Sequence, residues 1–172
     1  HIRFPVAFLD APFNAHDFQA WRRAWLFHQL SKKIAPASQE DDEIVKAVFT
    51  AVRNTLQKGD LPNRNQNRNL WPEVIWAEGA GYCDRQAWCA SELLRQYGFQ
   101  TLLIMLFDEK GVSPHTFLEA EKNSRFYLID PFCGAMRSGI SFADMRRDEK
   151  IRKDFWPGQE KIQNAVEHAR YI

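Results

Sequence analysis

Three side chains in this sequence carry the groups that nucleophilic attack on a carbonyl requires: Cys83, His115 and Asp130. A thiolate attacks carbon, an imidazole draws the proton from sulfur and later delivers it to the leaving group, and a carboxylate fixes the imidazole's orientation. Cys83 follows the glycine turn Glu78-Gly79-Ala80-Gly81 and opens a stretch that reads as a helix to Tyr97, stopped by Gly98. The sulfur therefore belongs to a first helical turn, where unpaired N–H groups and the positive dipole end favour an anion. Most buried cysteines only fill space. The argument rests on what faces this one.

At about 100° per residue, Ala87, Ala90 and Leu94 share the stripe of Cys83, and two alanines there let another backbone approach closely. Cys89, six residues on, points elsewhere. Downstream, residues 100–108 form an apolar run with the length of a buried strand, followed by the turn Asp108-Glu109-Lys110-Gly111. Residues 115–120 predict a second strand, 121–124 a four-residue loop, and 125–130 a third strand closed by Pro131. With Ala120 paired to Arg125 across that loop, His115 lies directly opposite Asp130. Opposed side chains on one face have Cβ atoms about 4.5–5.5 Å apart, within reach of an imidazole–carboxylate hydrogen bond. Pro131 keeps Asp130 extended.

These residues resemble the transglutaminase-like superfamily, whose relatives include peptide N-glycanases, arylamine N-acetyltransferases and microbial cysteine-protease-like proteins. The resemblance lies in G-x-C-x-x-x-A (Gly81, Cys83, Ala87), H-x-aromatic-x-E (His115, Phe117, Glu119) and aromatic-x-x-x-D-P (Phe126, Asp130, Pro131). It implies an α+β papain-like fold, with helices packed on an antiparallel sheet and the nucleophile at a helix N-terminus. It also implies a Cys83–His115–Asp130 triad, acyl transfer on an amide of a peptide or similar substrate, and no cofactor. Phe117 and Phe126 stand where tryptophan is common in the family. Tyr82 stands where the calcium-dependent animal enzymes have glutamine, so a microbial-type member is expected. The other reading is a non-catalytic binding module on the same fold. Trp71 and Trp76, just upstream, are candidates for the oxyanion-stabilising donor that such proteins take from before the cysteine.

Length and composition set the frame. A chain of 172 residues, 45% hydrophobic and 26% charged, suits one domain; the resemblance covers about residues 38–134 as its core, which implies helical extensions on either side. A net charge of +1 offers no argument for nucleic acid or an anionic membrane. No apolar run reaches the ~18 residues of a membrane span. The three cysteines, with no C-x-x-C, indicate neither a disulfide framework nor a cysteine-rich zinc module. A zinc site from Cys83, His115, Asp130 and Cys133 matches no common ligand spacing. The first residue is His1, which leaves localisation open.

The remaining segments read as support. Residues 1–13 suggest an extended arm, and Asn14 with Asp17 a cap for a helix to about Leu30, whose Phe18, Trp21 and Trp25 form an aromatic stripe suited to core or interface. Ser38 and Asp41 cap the next helix, which runs to near Gly59 with Val45, Phe49, Val52 and Leu56 on one face. Residues 60–72 are an asparagine-rich loop with Arg64 and Arg68, long enough to rim a site. Ser141 with Asp144 caps a helix carrying a solvated basic run, and residues 159–172 suggest a final amphipathic helix. Glu119 is assigned a structural hydrogen bond. His16, His28 and His168 receive no role.

Overall fold

The computed structural model describes residues 15–34, 36–59 and 71–171. The arm over residues 1–13, the Asn14/Asp17 cap, the His16 side chain and the loop arginines Arg64 and Arg68 lie outside the described residues.

Among the described residues seven α-helices, one 3₁₀ turn and five strands succeed one another: α1 Ala15–Ile34, α2 Asp41–Thr55, α3 Pro72–Glu78, α4 Cys83–Gln96, β1 Gln100–Leu106, β2 His115–Lys122, β3 Arg125–Asp130, β4 Ala135–Ser138, α5 Phe142–Arg147, α6 Glu149–Phe155, α7 Glu160–Asn164, the 3₁₀ turn Ala165–His168 and β5 Arg170–Tyr171. The sheet is antiparallel throughout, in the order β4-β3-β2-β1-β5. The α+β expectation is met.

Strand alternation divides the interior in two. Leu118 and Ala120 of β2, with Tyr127 and Ile129 of β3, pack under Ala87, Ala90, Leu93 and Leu94 of α4 and under α2. Phe117 and Leu128 point to the other face, against Phe142, Met145, Phe155, Trp156 and Val166. Successive residues of a strand serve opposite faces, so β2 and β3 are buried on both sides. The Cys83 stripe is as expected: Ala87, Ala90 and Leu94 have no exposed surface. Removing the Leu94 side chain to Ala would cost about 2–5 kcal/mol.

Several expectations need correction. Lys122 pairs with Arg125 and Ala120 with Tyr127, so the β2–β3 loop is the two-residue turn Asn123-Ser124, not four residues. Both turn residues have positive φ, 54° and 60°, the backbone of a type I′ turn, whose twist suits a hairpin. The aromatic stripe of α1 is not core: Phe18, Trp21 and Trp25 are 42–54% exposed, while Ala24 and Phe27 face inward. In α2, Val48 is buried in the seam and Phe49 lies at its edge. That helix ends at Thr55, and Ser38 accepts only from the Glu40 N–H. The basic run is split between α5 and α6 by Asp148, which accepts from the Lys150 N–H and starts the second helix. The final segment is a short helix, a 3₁₀ turn and then β5, which pairs with Ile104 and Met105. No described helix is long and apolar enough to cross a membrane.

Candidate active site

Cys83 is the first residue of α4, after Tyr82 in extended conformation with no side-chain cap. The first intrahelical bond is Gln86 N–H to the Tyr82 carbonyl, so the N–H groups of the opening turn point outward without an intrahelical acceptor. The approach is held by Gln86, fully buried, whose side-chain amide donates to the Gly81 carbonyl at 3.0 Å and the Leu56 carbonyl at 3.4 Å. Gly81 N–H and Gln57 N–H add bonds between the end of α2 and the glycine turn. Cys83 is half-buried, whereas Cys89 is fully buried with its thiol donating to the Pro72 carbonyl. Burial pushes the Cys89 thiol up, away from any nucleophilic role.

His115 begins β2 and Asp130 ends β3. Their side chains meet, Nε2 to Oδ2 at 2.6 Å, in a buried pair. The register places them diagonally, not directly opposite: continuing the ladder past Leu118 and Ile129 brings Phe117 level with Asp130. The two-residue offset keeps both on one face, and diagonal neighbours remain within reach of long side chains. A carboxylate only accepts, so Nε2 carries the proton and Nδ1 is the ring nitrogen left to exchange one.

Asp130 is held from three directions. Oδ2 also accepts from the Trp156 indole N–H at 2.7 Å, and Oδ1 from the Cys133 N–H at 2.9 Å. Its carbonyl accepts from Gly134 N–H, so one residue both closes the turn into β4 and presents the carboxylate. Burial alone would raise the carboxyl, but the bond and charge of His115, with the Cys133 and Trp156 donors, hold it below the usual carboxylate range. Burial alone would lower the imidazole. The bond to Asp130, contacts to the Cys133 and Cys83 thiols and the Asp130 charge outweigh it and push His115 up to about 12. Of the two thiols, Cys133 Sγ stands 3.9 Å from His115 Nε2.

Phe132 stands between His115 and Tyr82, its ring centroid 6.2 Å from that of His115 and 6.4 Å from that of Tyr82, with the Lys58 ammonium 4.9 Å from its centre. Trp71 and Trp76 have other partners. Trp71 contacts Trp88 and lies under the Arg23 guanidinium, and Trp76 packs edge-on to Phe27. Neither has a contact in the described residues that points it at Cys83. Glu119 accepts from the Phe142 N–H at the start of α5, which is the structural role expected of it. Trp156 and Phe132 were missed by sequence reading. Nothing in their spacing links them to the motifs.

The ligand atoms of His115, Asp130 and Cys133 lie within 4.8 Å of one another. Ligands of a tetrahedral zinc with bonds of ~2.0–2.2 Å stand ~3.3 Å apart, so an ion would have to part the 2.6 Å His115–Asp130 pair. It would also take an oxygen from Trp156. The donor set fits hydrogen bonding better than metal.

Comparison with solved structures places this architecture. A protein from Cytophaga hutchinsonii solved as a candidate cysteine protease superposes with a TM-score of 0.53 at 15% identity, over 83% of this chain and 52% of that one. A TGase structure superposes with a TM-score of 0.46 at 15% identity, over 73% of this chain and 35% of that one. The chain thus spans about half the length of the first of these neighbours. No protein-family model matches the sequence, and no curated protein is similar to it at a significant level. The helices packed on an antiparallel sheet are thus an arrangement shared with the first of these structures, a likeness of fold.

Proposed function

We propose that this chain is a cysteine-dependent acyl-transfer enzyme acting on amides, built as a single transglutaminase-like domain. Cys83 is the nucleophile, His115 the general base and then acid, and Asp130 the group that orients it. The observation that carries this reading is the buried His115–Asp130 pair, bonded at 2.6 Å, with Cys83 among the groups that raise the imidazole and itself at an uncapped helix start. Sulfur attacks the amide carbon, a C–S bond forms, the C–N bond breaks, and the nitrogen leaves with a proton from the imidazole. The outward N–H groups of the α4 start supply one side of an oxyanion site. Water then resolves the thioester to an acid, or an amine resolves it to a new amide. The substrate class is a peptide, a glutamine side chain or a peptidoglycan amide.

Intact-mass analysis after exposure to a panel of activated esters and amides, with and without an added amine, tests the proposal. An acyl adduct on Cys83 that disappears on turnover is expected, and Cys83→Ala should give neither adduct nor turnover while keeping its fold. Full turnover by that variant overturns the reading. Tight binding of panel members without any adduct favours a binding module.

A further inference from the structure

We propose that Trp156 is a positioning residue for the His115–Asp130 pair, and that turnover depends on its indole N–H. The inference rests on the acyl-transfer reading above. The indole donates at 2.7 Å to Asp130 Oδ2, the same oxygen that receives His115 Nε2 at 2.6 Å. The Cys133 N–H occupies Oδ1 at 2.9 Å. Three donors therefore fix the plane of a carboxylate that is entirely cut off from solvent. A carboxylate held by His115 and one backbone N–H retains freedom to swing about its Cβ bond. The third donor removes that freedom and with it the freedom of the imidazole.

The indole is placed to do this. Its ring stands at 90° to the imidazole with centroids 6.0 Å apart, closing one side of the hydrogen bond to water. Phe117 and Phe155 clamp it edge-on at 5.0 and 4.8 Å. Its backbone N–H donates to the Arg152 carbonyl at 3.0 Å, and its own carbonyl accepts from the Gln159 N–H and the Gln163 side-chain amide. The neighbouring rings of Phe117, Phe142 and Phe155 are pure hydrocarbon. The N–H directed at Asp130 is the part of the indole that apolar packing does not use. Removing it leaves a buried carboxylate short of one donor.

The test compares Trp156→Phe with Val166→Ala, which disturbs the same apolar cluster without bonding Asp130 or stacking on the indole. Trp156→Phe should lower kcat on a responsive ester roughly 10- to 100-fold, the span of one hydrogen bond to a charged group, with KM within about twofold. Val166→Ala should lower the melting temperature and leave kcat near wild type. The Nε2 proton of His115, followed by ¹H–¹⁵N NMR, should move and exchange faster in Trp156→Phe alone. That readout needs no turnover, so it separates failure of this inference from failure of the acyl-transfer reading, which the Cys83→Ala result decides. If Trp156→Phe does not fold, site-specific benzothienylalanine keeps the shape and replaces N–H by sulfur. Wild-type kcat and an unshifted imidazole proton in either substitution overturn the inference.

Discussion

His115 and Asp130 are bonded at 2.6 Å although the ladder does not pair them; they reach each other across a two-residue diagonal at the open end of β2 and β3. Because Asp130 also closes the turn to β4 through its carbonyl and Oδ1, the pair links the site's chemistry to local folding.

Asp130→Asn should retain the turn, since an amide oxygen still accepts from Cys133 N–H. It removes the charge that stabilises the imidazolium and leaves the tautomer unfixed. Turnover should fall roughly 10³- to 10⁴-fold with the circular dichroism spectrum unchanged. A loss under about tenfold would separate Asp130 from the reaction.

The pair also makes a pH prediction. His115 is raised from its ordinary value to about 12. Its stabilising share is therefore fully present below its unfolded value near ~6.5 and is lost as pH rises toward the folded one. Asp130, held low, contributes above its unfolded value and loses that share as pH falls through the depressed one. The melting-temperature gap between wild type and His115→Gln should be widest near about pH 6 and shrink steadily to about pH 10. A gap that stays constant over that range argues against a charged imidazole.

Glu119 is raised by burial, against a lowering bond from the Phe142 N–H. The acceptor matters to α5, and the charge does not. Glu119→Gln should lie within about 0.5 kcal/mol of wild type or above it, while Glu119→Ala leaves the amide unpaired and costs about 1–3 kcal/mol. Urea unfolding distinguishes the two. Equal losses would assign the effect to charge.

Ser124 sits at φ 60° in the hairpin turn, a conformation that strains residues with a Cβ. Ser124→Gly should stabilise by about 0.5–1 kcal/mol and raise the melting temperature a few degrees. Asn123 is a poorer target, since its amide bonds Asp41 at 3.0 Å, tying the hairpin to α2. No gain in Ser124→Gly would mean that the turn is not strained at that position.

How much of this was legible follows residue by residue. The α4 stripe and the β1–β3 strands were readable because buried faces impose 3.6- and 2-residue periods. The register was not, because Asn123-Ser124 lacks the glycine that usually announces a type I′ turn. The error was an even number of residues, so the parity of His115 and Asp130 survived it. The α1 stripe misled because large aromatics outweighed Ala24 and Phe27, which are the residues facing in. β5 has two residues, too few for any period to appear. Trp156 was hidden for a different reason: a contact between residues 26 apart in sequence, made through a tertiary fold, leaves no local pattern.

The sheet's two rims are short by design of the chain: β4 has four residues and β5 only two. Long flat rims are templates for stray chains to add on, and abbreviated ones give an incoming strand little backbone to grip. Extending either rim with alternating apolar residues should promote fibre formation, visible as thioflavin binding on prolonged incubation.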